Sequence, residues 1–203
     1  GVSGKSGEAV KVPTAGTLAS PLLVLVGLGS EVTPAAVRRA AGAASRAVTN
    51  AASVALALPA DAPELVRAVA EGHELGGYTF TAYKKDKADP AHVGEVVVLS
   101  PVARKKEVVT AFDEARIVSR AVATTRDWVN TPPGDLTPPA LADAVVAGAK
   151  ELGKGRGAPK LTVRVLDEKE LAELGCGGIL GVGAGSAAPP RLVELTYSPR
   201  GAK

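Results

Sequence analysis

An α/β fold is what this chain predicts, in two units joined by a long helix, and three observations predict it. Short apolar strand-like runs alternate with Ala-rich helical runs. Aromatic residues make up only 3% of the 203 residues while the hydrophobic share is 46%, so any core must be aliphatic and closely packed. Two prolines, Pro132 and Pro133, cut the chain directly after its longest helical pattern.

The elements follow in order. Glu8–Pro13 alternates as a short strand closed by Pro13. Pro21–Ser30, "PLLVLVGLGS", is a continuous apolar run bounded by Pro and Gly, the pattern of a strand buried on both faces. Thr33-Pro34 sets a capping hydroxyl before a proline at the first helical position, and the Ala-rich helix behind it reaches about Val48. Ala52–Leu58 reads as a strand, residues 62–78 as a helix stopped by Gly76-Gly77, and Gly94–Ser100 as a further strand. The order β-β-α-β-α-β predicts a layered domain with a mostly parallel or mixed sheet.

The longest helix is expected over Lys105–Val129. Val108, Ala111, Phe112, Ala115, Val118, Val122 and Val129 recur at spacings of three, four and seven, predicting one apolar stripe. Pro132-Pro133 ends it, since proline lacks the amide donor and restricts the residue before it. Thr137-Pro138 restarts a capped helix from Pro139 to about Leu152, and 153–159, "GKGRGAP", is a basic loop. Lys160–Asp167 alternates as a strand, Glu168–Gly175 is a short helix, and Arg191–Ser198 a last strand. The expected organisation is a domain over 1–104, a connecting helix over 105–130, and the start of a second domain over 131–203. A unit of the latter size is small to close its own core.

Composition narrows the function classes. A net charge of +3 and a pI near 9.0 are mildly basic, far from a nucleic-acid-binding tail. A single cysteine, Cys176, rules out an intrachain disulfide and fits a reducing compartment; a cytoplasmic protein is expected. No apolar run approaches a membrane span. The chain contains no methionine, position 1 included, and is expected to be a piece of a longer protein.

Candidate chemistry is thin. Val26–Ser30, "VGLGS", lacks the third glycine and the acidic residue of a dinucleotide fingerprint, so a strand-to-helix turn is the better reading. Gly175–Ser186 is glycine-dense without the Lys-Ser/Thr of a phosphate loop, which favours close helix-on-sheet packing. Cys176 reads as a small buried thiol. His73 and His92 are isolated, without a metal-ligand spacing. The carboxylate pairs Asp113-Glu114 and Asp167-Glu168 read as solvated faces or a helix start. The basic clusters Lys84-Lys85-Asp86-Lys87 and Arg104-Lys105-Lys106 could touch phosphates, but solvated loop ends are commoner.

Two separated stretches carry a resemblance. "RDWVNTPPGDL" (126–136), followed by Thr137-Pro138, is one. The other is 165–197, with Asp167-Glu168-Lys169, Gly177-Gly178, Gly181-Val182-Gly183, Gly185-Ser186 and Pro189-Pro190-Arg191-Leu192. In this order they resemble the leucyl aminopeptidase (cytosol aminopeptidase) family, peptidase family M17. The match spans the junction and the stretch before the family's catalytic core; "LLVLVGLG" and "GGYTFTAYKKDK" resemble its more variable N-terminal domain.

The resemblance implies a macro-domain-like N-terminal domain and a metalloexopeptidase, a hydrolase releasing N-terminal residues from peptides, leucine preferred. It also implies two divalent ions, Zn or Mn, and a homo-hexamer in the cytoplasm. The metal ligands belong to motifs resembling "VGKGITFDSGG" and "NTDAEGRL", which this sequence does not contain. No catalytic, metal or cofactor-binding residue is therefore assigned to any position, and the chain alone is expected to be inactive. The alternatives are a nucleotide-, ADP-ribose- or nucleic-acid-binding module, for which no aromatic base platform is visible, and a pure assembly domain.

Overall fold

The computed structural model describes residues 1–48, 50–85, 93–154, 158 and 160–199. The chain divides into two compact units, Gly1–Asp127 and Trp128–Lys203. His92, the Asp86-Lys87 half of one basic cluster and most of the 153–159 loop lie outside the described residues.

In the first unit, β1 (Ala9–Pro13) and β2 (Leu22–Val26) form an antiparallel pair, Ala9 opposite Val26 and Pro13 opposite Leu22. The buried Thr14 closes this hairpin: its N–H donates to Pro21 O and its Oγ1 to Ser20 O, 2.6 Å away. Helix α1 (Pro34–Ala47) begins as the Thr33-Pro34 pair predicts, with the Ala36 N–H donating to Thr33 Oγ1. β3 (Ser53–Leu56) and β4 (Glu95–Val98) pair in parallel, with α2 (Pro63–Gly76) between them in sequence. The α/β class is thus the predicted one, its mixed character divided between small two-stranded ladders.

The fully buried core of this unit is aliphatic, with Phe112 half-buried against it. Val37 and Ala41 from α1, Val66, Ala68 and Val69 from α2, Leu56 from β3 and Val108 are all buried in one cluster. α1 and α2 make the most extensive contact of any two elements. Their backbones touch: a methyl group on Gly72 would collide with the Arg38 carbonyl and come within 2.8 Å of Ala41 Cβ. One on Gly76 would lie 2.7 Å from the Gly42 carbonyl oxygen. With so few large side chains available, close approach of small-residue faces is how this sequence excludes water.

α3 (Lys106–Asn130) lies within one residue of its predicted bounds at each end. The predicted stripe holds in the first half of the helix and not in the second. Val108, Ala115 and Ser119 are buried, whereas Val118, Val122 and Val129 are exposed, Val129 to 78%. The packed face runs through Val108, Phe112, Ala115 and Ser119, whose spacings of four, three and four keep one side of the helix inward. β2 also departs from expectation. Leu22, Leu23 and Leu25 are exposed rather than buried on both faces, and β2 pairs only with β1 among the described residues.

In the second unit, α4 (Pro138–Leu152) starts at Thr137, whose Oγ1 accepts from the Ala140 N–H. β5 (Lys160–Leu166) and β6 (Leu192–Ser198) form a seven-residue antiparallel ladder, Lys160 opposite Ser198 and Leu166 opposite Leu192. Between them α5 (Glu168–Glu173) begins at an Asp167 capping box, and α6 (Gly177–Gly183) is a helix that the glycine density concealed. The buried hydrophobics here are Ala142, Ala149, Leu166 and Leu171 among the described residues, a small core as its length predicts.

The backbone contact between α1 and α2 makes a direct prediction. Gly72→Ala should lower stability by about 1–3 kcal/mol, as overpacking does. Gly148→Ala, in α4 with open space around it, should be neutral or stabilising by up to about 1 kcal/mol. Urea denaturation of both variants checks this; equal effects would contradict the contact.

Candidate functional site

Of the two glycine-rich stretches singled out in the sequence, the first has a structural role. At Gly27 an added side chain would run into the Lys5 carbonyl, because the N-terminal residues lie directly on the turn after β2. Gly27 donates to Glu8 O and Gly29 to Gly4 O, so "VGLGS" is a strand-to-helix turn tied down by backbone hydrogen bonds. The Gly175–Ser186 segment differs from its expected role. Gly177, Gly178, Gly181 and Gly185 face open space, and only Gly183 makes close contact, against the ring of Pro190. Cys176 is half-buried, not the fully buried thiol expected, and its backbone precedes α6.

The carboxylates belong to ion pairs and helix starts. Asp167 accepts from the Lys169 and Glu170 amides; the Glu170 hydrogen bond, above all, holds its carboxyl below the usual range. Glu168 is also depressed, by its own amide first and then by the Arg191 guanidinium, 2.5 Å away. Arg164 on β5 bridges Glu170 on α5, at 3.2 Å, and Glu194 on β6, at 3.7 Å. These pairs fasten α5 to the β5–β6 ladder. Lys84, Lys85, Arg104, Lys105 and Lys106 are solvent-exposed, and the Lys105 carbonyl accepts the first amides of α3.

Two arrangements in the first unit were not foreseen. Glu71 on α2 is buried between two arginines, with Arg38 of α1 at 2.6 Å and Arg67 of α2 at 2.7 Å. Arg67 also reaches Glu114 on α3, at 3.5 Å. Burial alone would raise the Glu71 pKa; the hydrogen bonds from Arg67 and Arg38 outweigh it and leave the group below the ordinary carboxylate value. The second arrangement is a cleft of about 260 Å³ where the end of α2 meets the middle of α3, lined by Glu74, Tyr78, Arg116, Ser119 and Arg120. Beside it the Arg126 guanidinium stacks 4.4 Å over the Tyr78 ring and donates to Leu75 O, while the Tyr78 hydroxyl donates to Asp127. The i, i+4 spacings Arg67/Glu71 and Arg116/Arg120 were the available sequence signals. No group of three His, Cys, Asp or Glu side chains able to hold a metal occurs among the described residues.

Comparison with known proteins gives this scaffold its context. The model for the N-terminal domain of the cytosol aminopeptidase family matches residues 1–87, and the model for the catalytic domain of the same family matches residues 123–203. The chain belongs to the cytosol aminopeptidase family.

A probable cytosol aminopeptidase of Streptomyces coelicolor is 43% identical across 100% of the chain, which covers 42% of that protein. One from Micrococcus luteus is 42% identical across 98%, covering 39%. The chain thus spans about two-fifths of the length of the curated relatives it matches. Among solved structures, the bottromycin maturation enzyme BotP in complex with Mn aligns over 98% of the chain and 41% of its own, with a TM-score of 0.80 and 36% identity. A mutant of tomato leucine aminopeptidase, 22% identical, aligns over 99% of the chain and 40% of its own with a TM-score of 0.80, which shows the shared α/β fold. No helix among the described residues is long and apolar enough to cross a membrane.

The buried polar groups of this family member predict a pH dependence. Burial lowers the His73 pKa, and its Nδ1 is enclosed without a hydrogen-bond partner. Below about pH 6.5 the unfolded chain takes up a proton that the folded chain resists, so stability falls. Glu71 adds a second loss below about pH 4.3, where the unfolded carboxyl is protonated and the folded one stays ionised. Thermal midpoints measured from about pH 8 down to about pH 2 should show both losses. His73→Leu should remove the first and leave the second; an unchanged profile would contradict the assignment.

Proposed function

We propose that this chain is the non-catalytic N-terminal portion of a metal-dependent leucyl aminopeptidase. The whole enzyme releases N-terminal amino acids, leucine preferred, from peptides. It works with two divalent ions, Zn or Mn, as a cytoplasmic homo-hexamer. The observation that carries this reading is the order of the two matches: N-terminal and catalytic domain models of one family fall in sequence on this one chain, at 1–87 and 123–203. The Mn carried by the BotP structure supports the choice of a divalent metal.

Among the described residues no group of side chains is placed to hold a two-metal centre. Glu71, Asp167, Glu168 and Glu170 are engaged in ion pairs or a helix cap, and no three metal-capable side chains converge among the described residues. The catalytic and metal-binding residues are accordingly assigned to sequence outside these 203 residues, and no catalytic step is assigned to residues within them. What the chain supplies is a folded α/β domain, the α3 connection, and the α4–β6 opening of the catalytic domain.

Hydrolysis of a leucine chromogenic amide tests the proposal. The 203-residue chain and a polypeptide extended to the relatives' length are compared with Mn²⁺ or Zn²⁺. Activity is expected only in the longer protein and should disappear on chelation. Metal-dependent turnover by the 203-residue chain would overturn the reading.

A further inference from the structure

The cleft between the end of α2 and the middle of α3 gathers charges of both signs without neutralising them. Arg116 and Arg120 stand one helical turn apart on α3, and neither has a carboxylate within 4 Å among the described residues. Glu74 lines the same cleft from α2 and is likewise without an ion-pair partner there. It lies in the last turn of α2, where the helix dipole presents its negative end. Between the arginines Ser119 is only 2% exposed, and its Oγ has no hydrogen-bond partner. The neighbouring Thr124 and Thr125 instead return their hydroxyl protons to carbonyls one turn back. An unpaired buried hydroxyl costs free energy unless a partner arrives, and Ser119 is one of the residues that line the cleft.

A simple anion site would not carry a carboxylate at its rim, nor be built at the carbonyl end of a helix. A cation site would not carry two free guanidiniums. A small molecule bearing both charges satisfies both sets. We propose that this cleft binds the zwitterion of a free α-amino acid, its carboxylate held by Arg116, Arg120 and the Ser119 hydroxyl and its ammonium by Glu74 at the end of α2. Gly77, Tyr78 and Ala123 complete the lining and give the side chain a partly apolar surface. The cleft, at about 260 Å³, is of the size such a ligand requires. The recognition chemistry stands on the geometry alone; the choice of leucine as the ligand to try first rests on the aminopeptidase reading, of which leucine is a product.

Isothermal titration of the 203-residue chain with L-leucine tests this, with leucinamide, N-acetylleucine and inorganic phosphate as comparisons. Leucine should bind saturably at one site. Leucinamide, lacking the carboxylate, and N-acetylleucine, lacking the ammonium, should each bind at least about tenfold more weakly, the usual cost of losing a charged hydrogen bond. Arg116→Gln, Arg120→Gln and Glu74→Gln alter exposed side chains; each should weaken leucine by a comparable factor while the thermal melt is unchanged. Ser119→Ala, which removes the hydroxyl without adding volume, should weaken it as well. The proposal is overturned if leucine does not bind by about 10 mM, beyond the usual weak end of specific affinities. It is equally overturned if phosphate binds where leucine does not, or if the three charge variants bind leucine as the parent chain does. None of these outcomes depends on hydrolytic activity, so failure here leaves the peptidase reading to its own test.

Discussion

The first unit depends on how closely α1 and α2 approach. Gly42, Gly72 and Gly76 bring the two backbones into contact, and the alanines around them keep the interface thin. A chain with 3% aromatic residues has few side chains that could fill a wider gap. The small-residue crossing is therefore the condition on which the rest of that core is assembled. Once the helices meet, Val37, Val66 and Val69 can pack with Leu56 of β3, and Val108 of α3 completes the cluster. The Arg38–Glu71–Arg67 cluster sits at the same crossing. It favours the faces that meet, because sliding either helix would take Arg38 from Glu71 and leave the buried carboxylate with Arg67 alone. Arg67 extends that constraint to α3 through Glu114.

The legible parts of the fold were those governed by local chemistry. Thr33-Pro34 and Thr137-Pro138 each mark a helix start, because a threonine cap and an N1 proline act within one turn. Asp167 with Glu170 does the same for α5. The alternation of Lys160–Leu166 names a strand outright, and the double proline stops α3 next to Asn130. What failed was governed by packing partners. The Leu22–Val26 run looks doubly buried because apolarity records what a strand tolerates, not what lies on it. The predicted stripe on α3 holds at Val108 and Ala115 but not beyond, where Ser119 is buried and Val118 and Val122 are exposed. α6 was hidden because glycine disfavours helix locally, and its formation depends on its surroundings.

The functional content divides in the same way. Family membership was readable from Arg126–Leu136 and the run from Asp167 to Leu192, because a junction motif and a glycine-proline pattern recur in fixed order. The three-dimensional groupings were not readable. Glu71 is paired to Arg38 across 33 positions, and the α2–α3 cleft joins residues more than 40 apart. Neither leaves a contiguous motif. The ion pairs of the second unit explain the Asp167-Glu168 and Pro190-Arg191 segments in mechanical terms: they tie a short helix to a two-stranded ladder whose own core is slight.

If the α1–α2 crossing is what holds the first unit, its amides should be the last to open. Native-state hydrogen exchange of the 203-residue chain measures this residue by residue. The account predicts that Ala40–Ala44 and Ala68–Gly72 exchange most slowly of the described residues, through opening of the whole unit. It predicts much faster exchange along α4, β5 and β6. Protection in the second unit equal to or above that of α1 and α2 would contradict it.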